Sequence, residues 1–213
     1  IPFYILFAFL VTAYFIHAFL VRSNPSAFCS IFTWTGSFWL GAMAYLFLII
    51  IFIDLLRVFN HFIPFFPAFI TDNYGTAKLV TGISSVVIVS VVLIVGYINA
   101  INPKLKEINI TVDKTSEIEI LRIVAASDIH LGSIISKNRI SDMVEKINAL
   151  KPDIVLFPGD ILDEAVEPVL KYKSGEPIKK IKSKYGVFAI TGNHEYIGGI
   201  KETAPYIESL NIN

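Results

Sequence analysis

Long runs of apolar residues dominate the first hundred positions of the chain. Three of them reach the roughly 20 residues that a helix needs to cross the hydrocarbon core of a bilayer. They cover approximately Pro2–Val21, Ser37–Ile53 with its flanks, and Leu79–Ile98. The third run is rich in Val and Ile, as strands are, but it is too long to be a single strand. The pattern therefore predicts three membrane-spanning helices within residues 1–100.

The pattern changes after Pro103. Apolar and polar residues alternate from 108 to 112 and again from 118 to 120, and residues 113–116 between them have the composition of a turn. Alternation of this kind is typical of strands with one buried face, so we expect a β-hairpin here.

Three nearly continuous apolar runs follow, at Leu121–Ala126, Ile154–Pro158 and Val187–Thr191. Such runs are typical of strands that are buried on both faces of a parallel sheet. Between the first two, apolar residues recur at helical spacing over 140–150, and Ser136 is a suitable N-cap. We therefore predict a βαβ unit with a right-handed crossover.

The second crossover, residues 164–185, contains a basic segment. Six lysines in residues 171–184 stand against a single acidic residue, Glu176, and such a segment could contact anionic lipid headgroups. Ile178 and Ile181 lie between the lysines as the buried face of a surface helix would. We favour a solvated surface on this ground. A further helix is predicted close to the end of the chain, at 203–210.

The distribution of charge separates the two parts of the chain. Residues 1–100 contain three basic and two acidic side chains, whereas residues 101–213 contain 15 and 16. With 54% hydrophobic residues, the chain is predicted to be an integral membrane protein whose first partner is the lipid bilayer.

The net charge of zero gives no reason to expect a nucleic-acid partner. Transport through the spans lacks support, because no span carries a charged residue at its centre.

Three short polar clusters follow the three predicted strands directly, at Ser127–His130, Gly159–Asp163 and Gly192–Glu195. The carboxyl ends of neighbouring parallel strands meet at one crevice, so these side chains are expected to converge. A single Asp or Asn after a strand commonly caps a helix or forms a turn, but three successive clusters are difficult to explain in that way. Asp128 and His130 are two residues apart and would point the same way in an extended segment. Carboxylate, amide and imidazole ligands suit Mn²⁺, Fe, Zn²⁺ or Mg²⁺, and the absence of thiolates argues against a structural zinc site.

In their order and spacing, the clusters resemble the first three signature blocks of the calcineurin-like metallophosphoesterases. The blocks are Asp128-x-His130, Gly159-Asp160-x-x-Asp163 and Gly192-Asn193-His194-Glu195. The sequence Asp-Ile-His-Leu-Gly at 128–132, preceded by an apolar half, is similar to the membrane-associated bacterial branch. The resemblance covers about residues 118–213. It implies a helical transmembrane region joined to an α/β domain of the four-layer α-β-β-α sandwich type, of which this chain holds the N-terminal half.

The resemblance also implies a site for two divalent ions, which could be Mn, Fe, Zn or Mg. Asp128 and His130 would bind one ion, Asp160 would bridge both ions, and Asn193 would bind the second. Asp163 would support these ligands from outside the metal shell.

Catalysis in such a site, as the resemblance implies it, hydrolyses a phosphomonoester, phosphodiester or pyrophosphate bond through a hydroxide that bridges the ions. His194 would protonate the leaving oxygen and Glu195 would orient it. The chain would then be a metal-dependent phosphoric ester hydrolase. Its membrane half suggests a lipid-linked substrate. The basic residues beside the spans leave the side of the catalytic domain undetermined, and only exported relatives lean toward an extracytoplasmic one.

The chain departs from the family pattern in its histidines. The pattern continues with a further His and a Gly-His-x-His block, whereas this chain has four His, at 17, 61, 130 and 194. We therefore expect a fragment of a longer protein, divided into a membrane region (1–100), a linker with the first hairpin strand (101–117) and half of a phosphoesterase domain (118–213). Such a fragment is expected to bind metal weakly and to turn over little or no substrate. The alternative is a non-catalytic membrane module with a degenerate phosphoesterase-like domain for binding or sensing.

Overall fold

The computed structural model describes the backbone of residues 2–23, 27–163 and 165–213, and the side chains of residues 3 and 17–30 lie outside this description. Its contacts divide the chain into two compact units. One comprises residues 1–14 and 34–106, and the other comprises residues 15–33 and 107–213.

Where the apolar part of the chain is described, it forms four helices: α1 (Pro2–Ser23), α2 (Ala27–Phe62), α3 (Ala68–Thr71) and α4 (Tyr74–Ile101). In the described residues, α4 and the Ile31–Phe62 stretch of α2 are long and apolar enough to cross a membrane, with mean hydropathies of 2.6 and 2.3. Two of the three predicted spans are thus found as helices of spanning length. The described apolar stretch of α1, Tyr4–Ile16, is shorter, so the first span stays a prediction.

The helices α2 and α4 are apolar in sequence, and the side chains that they expose are apolar too. Phe47, Leu48 and Ile94 each expose more than half of their surface. A soluble protein rarely exposes contiguous apolar surface of this kind, because water is a poor solvent for it. Contact with lipid chains is the environment that suits both helices.

The predicted β-hairpin is wrong. Residues 102–122 contain neither helix nor strand. Ile110 and Ile120, two of the alternating apolar residues, are 79% and 78% exposed and pack on no core. An isolated two-stranded hairpin is marginally stable unless its apolar face is covered, so alternation alone does not form one.

The three predicted strands of the second unit are confirmed, but their predicted burial on both faces is wrong, because more buried residues alternate with more exposed ones along each strand. They are β1 (Ile123–Ala125), β2 (Ile154–Pro158) and β3 (Val187–Ile190), which form one parallel sheet in the order β1-β2-β3. The first and third are shorter than the apolar runs that predicted them. In the register, Ile123 pairs with Ile154 and Val155 pairs with Val187.

Between the strands lie α5 (Lys137–Ala149), α6 (Val166–Tyr172) and a 3₁₀ helix at Glu176–Lys180. After β3 come α7 (Asn193–Gly198) and α8 (Ile200–Glu208). The predicted N-cap is confirmed, because the side chain of Ser136 accepts a hydrogen bond from the backbone N–H of Arg139. The loop from β1 to α5 and the loop from β2 to α6 both leave the sheet at the carboxyl ends of the strands.

The core of the second unit is formed by the sheet and the helices packed against it. Val155, Phe157 and Ile140 are 1% exposed or less. Ile178 is also buried, whereas the six lysines around it are exposed. The basic segment is therefore the solvated face of a short helical turn, as its sequence indicates.

Candidate metal centre

The first two polar clusters lie side by side because the pairing of β1 and β2 continues beyond both strands. The N–H of His130 donates to the carbonyl of Asp160 at 3.1 Å, and the N–H of Leu131 donates to that of Ile161 at 2.8 Å. The N–H of Asp163 returns a bond to the carbonyl of Leu131 at 2.8 Å. This ladder of backbone bonds holds the side chains of both clusters at one edge of the sheet.

Several candidate ligands have left-handed backbone conformations. The φ angles of Asp128, His130 and Asp160 are 54°, 50° and 50°, and that of Gly159 is 88°. Left-handed residues other than glycine cost about 1–3 kcal/mol each and cluster at functional sites, and Asp and His are among the types that tolerate the conformation best. The expected extended segment from Asp128 to His130 is therefore not found. The two side chains still converge, because both residues have left-handed backbone conformations rather than the extended conformation of a strand.

Two groups of closely spaced ligand atoms result, and they share His130. One group contains Asp128, His130 and Asp160, the other contains His130, Asp163 and His194, and the atoms within each group lie within 4.8 Å of one another. His130 Nε2 is 3.9 Å from Asp128 Oδ1, and His130 Nδ1 is 3.4 Å from Asp163 Oδ1. The rings of His130 and His194 meet edge to face, with centroids 4.4 Å apart.

These residues fit a divalent cation. The Nδ1 atom of His130 is buried and has no hydrogen-bond partner in the described part of the chain. An unpaired buried imidazole nitrogen is costly, and a metal ion is one of the partners that can satisfy it. The surrounding donors are carboxylate oxygens and a second imidazole, which suit Mn²⁺, Fe, Zn²⁺ and Mg²⁺.

Asp163 is more central than the sequence indicates. Besides its carboxylate contact with His130, its Oδ1 is 3.8 Å from His194 Nδ1 and its backbone carbonyl makes a close contact with the same nitrogen. An ideal Cβ built on Gly132 would lie 2.9 Å from the Cβ of Asp163, so only glycine allows the two loops to approach this closely. The sequence did not reveal this position of Asp163, because it depends on the backbone ladder between the first two clusters. That ladder turns Asp163 toward the imidazoles of His130 and His194.

The third cluster begins α7 and is bonded to the second. The backbone N–H of His194 donates to Asp160 Oδ1 at 3.0 Å. An ideal Cβ on Gly192 would lie 2.6 Å from the backbone nitrogen of Asp160, so this position also requires glycine. Asn193 is the first residue of α7 and is exposed. Its amide stays a predicted ligand.

Glu195 is fully buried and ties the second and third clusters together. Its carboxylate accepts the backbone N–H groups of Asp160 at 3.1 Å, Leu162 at 2.9 Å and Gly192 at 2.6 Å. Several N–H donors can stabilise a buried carboxylate without a cationic partner. The sequence suggested that Glu195 orients the ring of His194, whereas these contacts direct its carboxylate to the backbone of the loops.

Thr203 supports this arrangement and was not identified from the sequence. It is fully buried in α8, and its hydroxyl donates to the backbone carbonyl of Glu195 at 2.9 Å. No motif marks it, because its importance follows only from the packing of α8 against α7.

Comparison with known proteins agrees with this geometry. The calcineurin-like phosphoesterase family model matches residues 121–213. An uncharacterized metallophosphoesterase of Helicobacter pylori is 36% identical over 110 residues, which are 52% of this chain and 29% of that protein. A transmembrane protein with a metallophosphoesterase domain from Danio rerio is 34% identical over 114 residues, 53% of this chain and 26% of that protein. A Campylobacter jejuni metallophosphoesterase is 33% identical over 120 residues, 55% of this chain and 31% of its own length.

The matched regions thus span less than a third of these relatives. No solved structure gave a significant match. The match with the family model covers all three strands and all three polar clusters. Within residues 121–213, the chain is therefore similar to the calcineurin-like phosphoesterase family.

Proposed function

We propose that the protein is a membrane-anchored, metal-dependent phosphoesterase that hydrolyses a phosphomonoester, phosphodiester or pyrophosphate bond. The observation that carries this proposal is the pair of ligand groups that share His130, located within the region that matches the family. A degenerate binding module is less well supported, because a lost site would have no need to keep left-handed ligand residues and an unpaired buried imidazole nitrogen.

Asp128, His130, Asp160, Asp163 and Asn193 are the residues that would hold two divalent ions. Such ions would supply Lewis-acid stabilisation of phosphoryl charge and activation of water. Asp160 is placed to join the two groups of ligands, since its carboxylate is part of one group and also accepts the N–H of His194, which belongs to the other. The first described group offers three ligand atoms, and the second offers two once His194 is kept as the proton donor. Both numbers are below the four to six ligands that these ions usually take, so we expect residues 1–213 alone to bind metal weakly and to turn over little substrate.

His194 is proposed to deliver the proton to the leaving oxygen. A carbonyl oxygen can only accept, so the contact with the Asp163 carbonyl supports the tautomer of His194 that carries its proton on Nδ1. A protonated Nδ1 is not a metal ligand, which leaves Nε2 as the nitrogen that exchanges protons with substrate. Imidazole has an intrinsic pKa suited to this task at neutral pH.

The membrane helices support a substrate at the bilayer. Both α2 and α4 expose apolar surfaces, and the similar protein of Danio rerio is described as a transmembrane protein. A catalytic domain tethered in this way meets lipid headgroups at high effective concentration. We therefore propose a lipid-linked phosphate ester as substrate.

The test is hydrolysis of an aryl phosphodiester by the full-length protein in detergent, with and without Mn²⁺ after treatment with a chelator. We expect turnover only with metal. Substitution His130→Gln should abolish it, whereas His61→Gln, a matched change at an exposed residue of α2, should leave turnover within twofold. Equal turnover with and without metal would contradict the proposal, and so would no turnover with any divalent ion.

A further inference from the structure

A cavity of about 440 Å³ borders the candidate metal centre. Gly132 lines this cavity, and the position of its missing Cβ faces Asp163. The carboxylate of Asp163 is in turn 3.4 Å from the buried nitrogen of His130. One glycine therefore separates the cavity from the ligand groups.

One side of the cavity is the start of α5. Ser136, Lys137 and Asn138 line it there, together with Ser133 from the preceding loop. The first N–H groups of a helix lack partners within the helix and attract anions. In the described residues, the Ser136 side chain accepts from the N–H of Arg139. The exposed ammonium group of Lys137 adds a positive charge. In the described part of the chain, no acidic residue lines the cavity.

Ser174 lines the same cavity and supplies a second, independent indication of a ligand. It is 1% exposed, and its hydroxyl has no hydrogen-bond partner in the described residues. The turn that ends α6 fixes its position, since Lys173 is left-handed and the N–H of Ser174 donates to the carbonyl of Val169 at 3.2 Å. A buried hydroxyl without a partner costs free energy, and a ligand oxygen in the cavity is a partner that would remove this cost.

We propose that this cavity binds a phosphoryl group of the substrate other than the one that is hydrolysed. The inference rests on the proposed function, and it narrows the substrate to compounds with two phosphoryl groups, either pyrophosphate-linked or bis-phosphorylated. A phosphoryl group offers several acceptor oxygens and at least one negative charge. Helix N–H groups, serine hydroxyls, an amide and a lysine are donors that match such a group.

The first experiment measures binding of inorganic phosphate to the full-length protein in detergent after chelation of metals, by calorimetry. Chelation removes the contribution of the metal centre, so the remaining site should be the cavity. Lys137→Gln should weaken phosphate binding at least fivefold. Lys146→Gln, at an exposed lysine of the last turn of the same helix, should change it less than twofold. Equal effects of the two substitutions, or no binding, would overturn the proposal.

Ser174→Ala separates a binding role from a structural one. Because the hydroxyl is unpaired, its removal should leave the thermal midpoint unchanged or raise it, while phosphate binding weakens at least threefold. A lower midpoint together with unchanged phosphate binding would show that Ser174 serves only the fold.

The second experiment compares two aryl phosphates in the metal-loaded protein, one with a single phosphoryl group and one with a second phosphoryl group on the ring. Lys137→Gln should lower the ratio of kcat/KM for the second substrate over the first at least tenfold, and Lys146→Gln should preserve it. Binding of phosphate with an unchanged ratio would assign the cavity to free phosphate and overturn the substrate assignment. If neither substrate is hydrolysed but phosphate binding still depends on Lys137, the proposed function is refuted and the cavity remains an anion site.

Discussion

The carboxylate of Glu195 accepts the backbone N–H of Leu162 at 2.9 Å, across 33 residues of sequence. The same carboxylate holds the N–H groups of Asp160 and Gly192. One fully buried side chain therefore joins the loop after β2 to the start of α7. These are the two segments that must stay in register for His194 to lie beside Asp163.

Glu195→Gln should destabilise the second unit strongly. The amide can accept from some of the three N–H groups, but its own NH₂ would face another donor. Hydrogen bonds to a buried charge contribute about 1.5–3 kcal/mol each, so we expect a loss of about 3 kcal/mol in the free energy of unfolding. Chemical denaturation in detergent, followed by near-ultraviolet circular dichroism, measures it.

The matched control for this change is Glu202→Gln, at an exposed residue in the first turn of α8. It removes the same charge without buried contacts and should stay within about 0.5 kcal/mol of the parent protein. Equal stabilities of the two variants would show that the buried contacts of Glu195 contribute little.

His194→Ala and Asp160→Ala should affect different properties of the full-length enzyme. If His194 donates a proton, its removal should lower kcat by about 10²–10⁴-fold while metal content stays nearly normal. Asp160→Ala should reduce metal content as well, because the carboxylate belongs to a ligand group. Metal analysis beside steady-state kinetics decides between these roles, and loss of metal from His194→Ala would make His194 a ligand.

Gly192→Ala should disturb the site without changing any ligand. The added methyl group would lie 2.6 Å from the nitrogen and 2.8 Å from the carboxylate carbon of Asp160, so the two loops must separate. We expect activity to fall at least tenfold and the unfolding free energy to fall by about 1–3 kcal/mol. Gly96→Ala in α4 has no described atom outside its own helix within 4 Å of the new methyl group, so it should leave activity unchanged and should not lower the unfolding free energy. Normal activity of Gly192→Ala would show that the contact between these loops is dispensable.

The strands and the N-cap could be predicted because their signals are local. The strand Ile154–Pro158 is continuously apolar, although only Val155 and Phe157 in it are buried. Ser136 precedes a helical repeat of apolar residues. The hairpin failed for the opposite reason. Alternating residues such as Ile110 and Ile120 form a stable strand only if another surface covers their apolar side chains. The local sequence does not show whether such a surface exists.

The sequence predicted that the three clusters converge, but it did not predict the geometry by which they do so. The three clusters do converge, but Asp128 and His130 reach each other through left-handed backbone, which depends on the loop ladder with Asp160. The contacts of Asp163 and of buried Glu195 also depend on that ladder, which joins residues about 30 positions apart. Spacing along the chain gives no information about such pairings.

Tyr206 should make stability depend on alkaline pH. Burial, assisted by the nearby charge of Glu176, raises the pKa of its phenol from 10.0 to about 12, against the opposing effect of a hydrogen bond with the backbone of Gly175. A raised pKa in the folded state means that the unfolded chain loses this proton first. The stabilising contribution is therefore complete below pH 10 and is lost as the pH rises to about 12. Tyr206→Phe should flatten the fall in unfolding free energy over this interval, whereas Tyr196→Phe, at a residue 64% exposed, should keep the parent slope. Denaturation curves at pH 9, 10 and 11 compare the three proteins, and identical slopes would show that the phenol of Tyr206 titrates alike in the folded and unfolded chains.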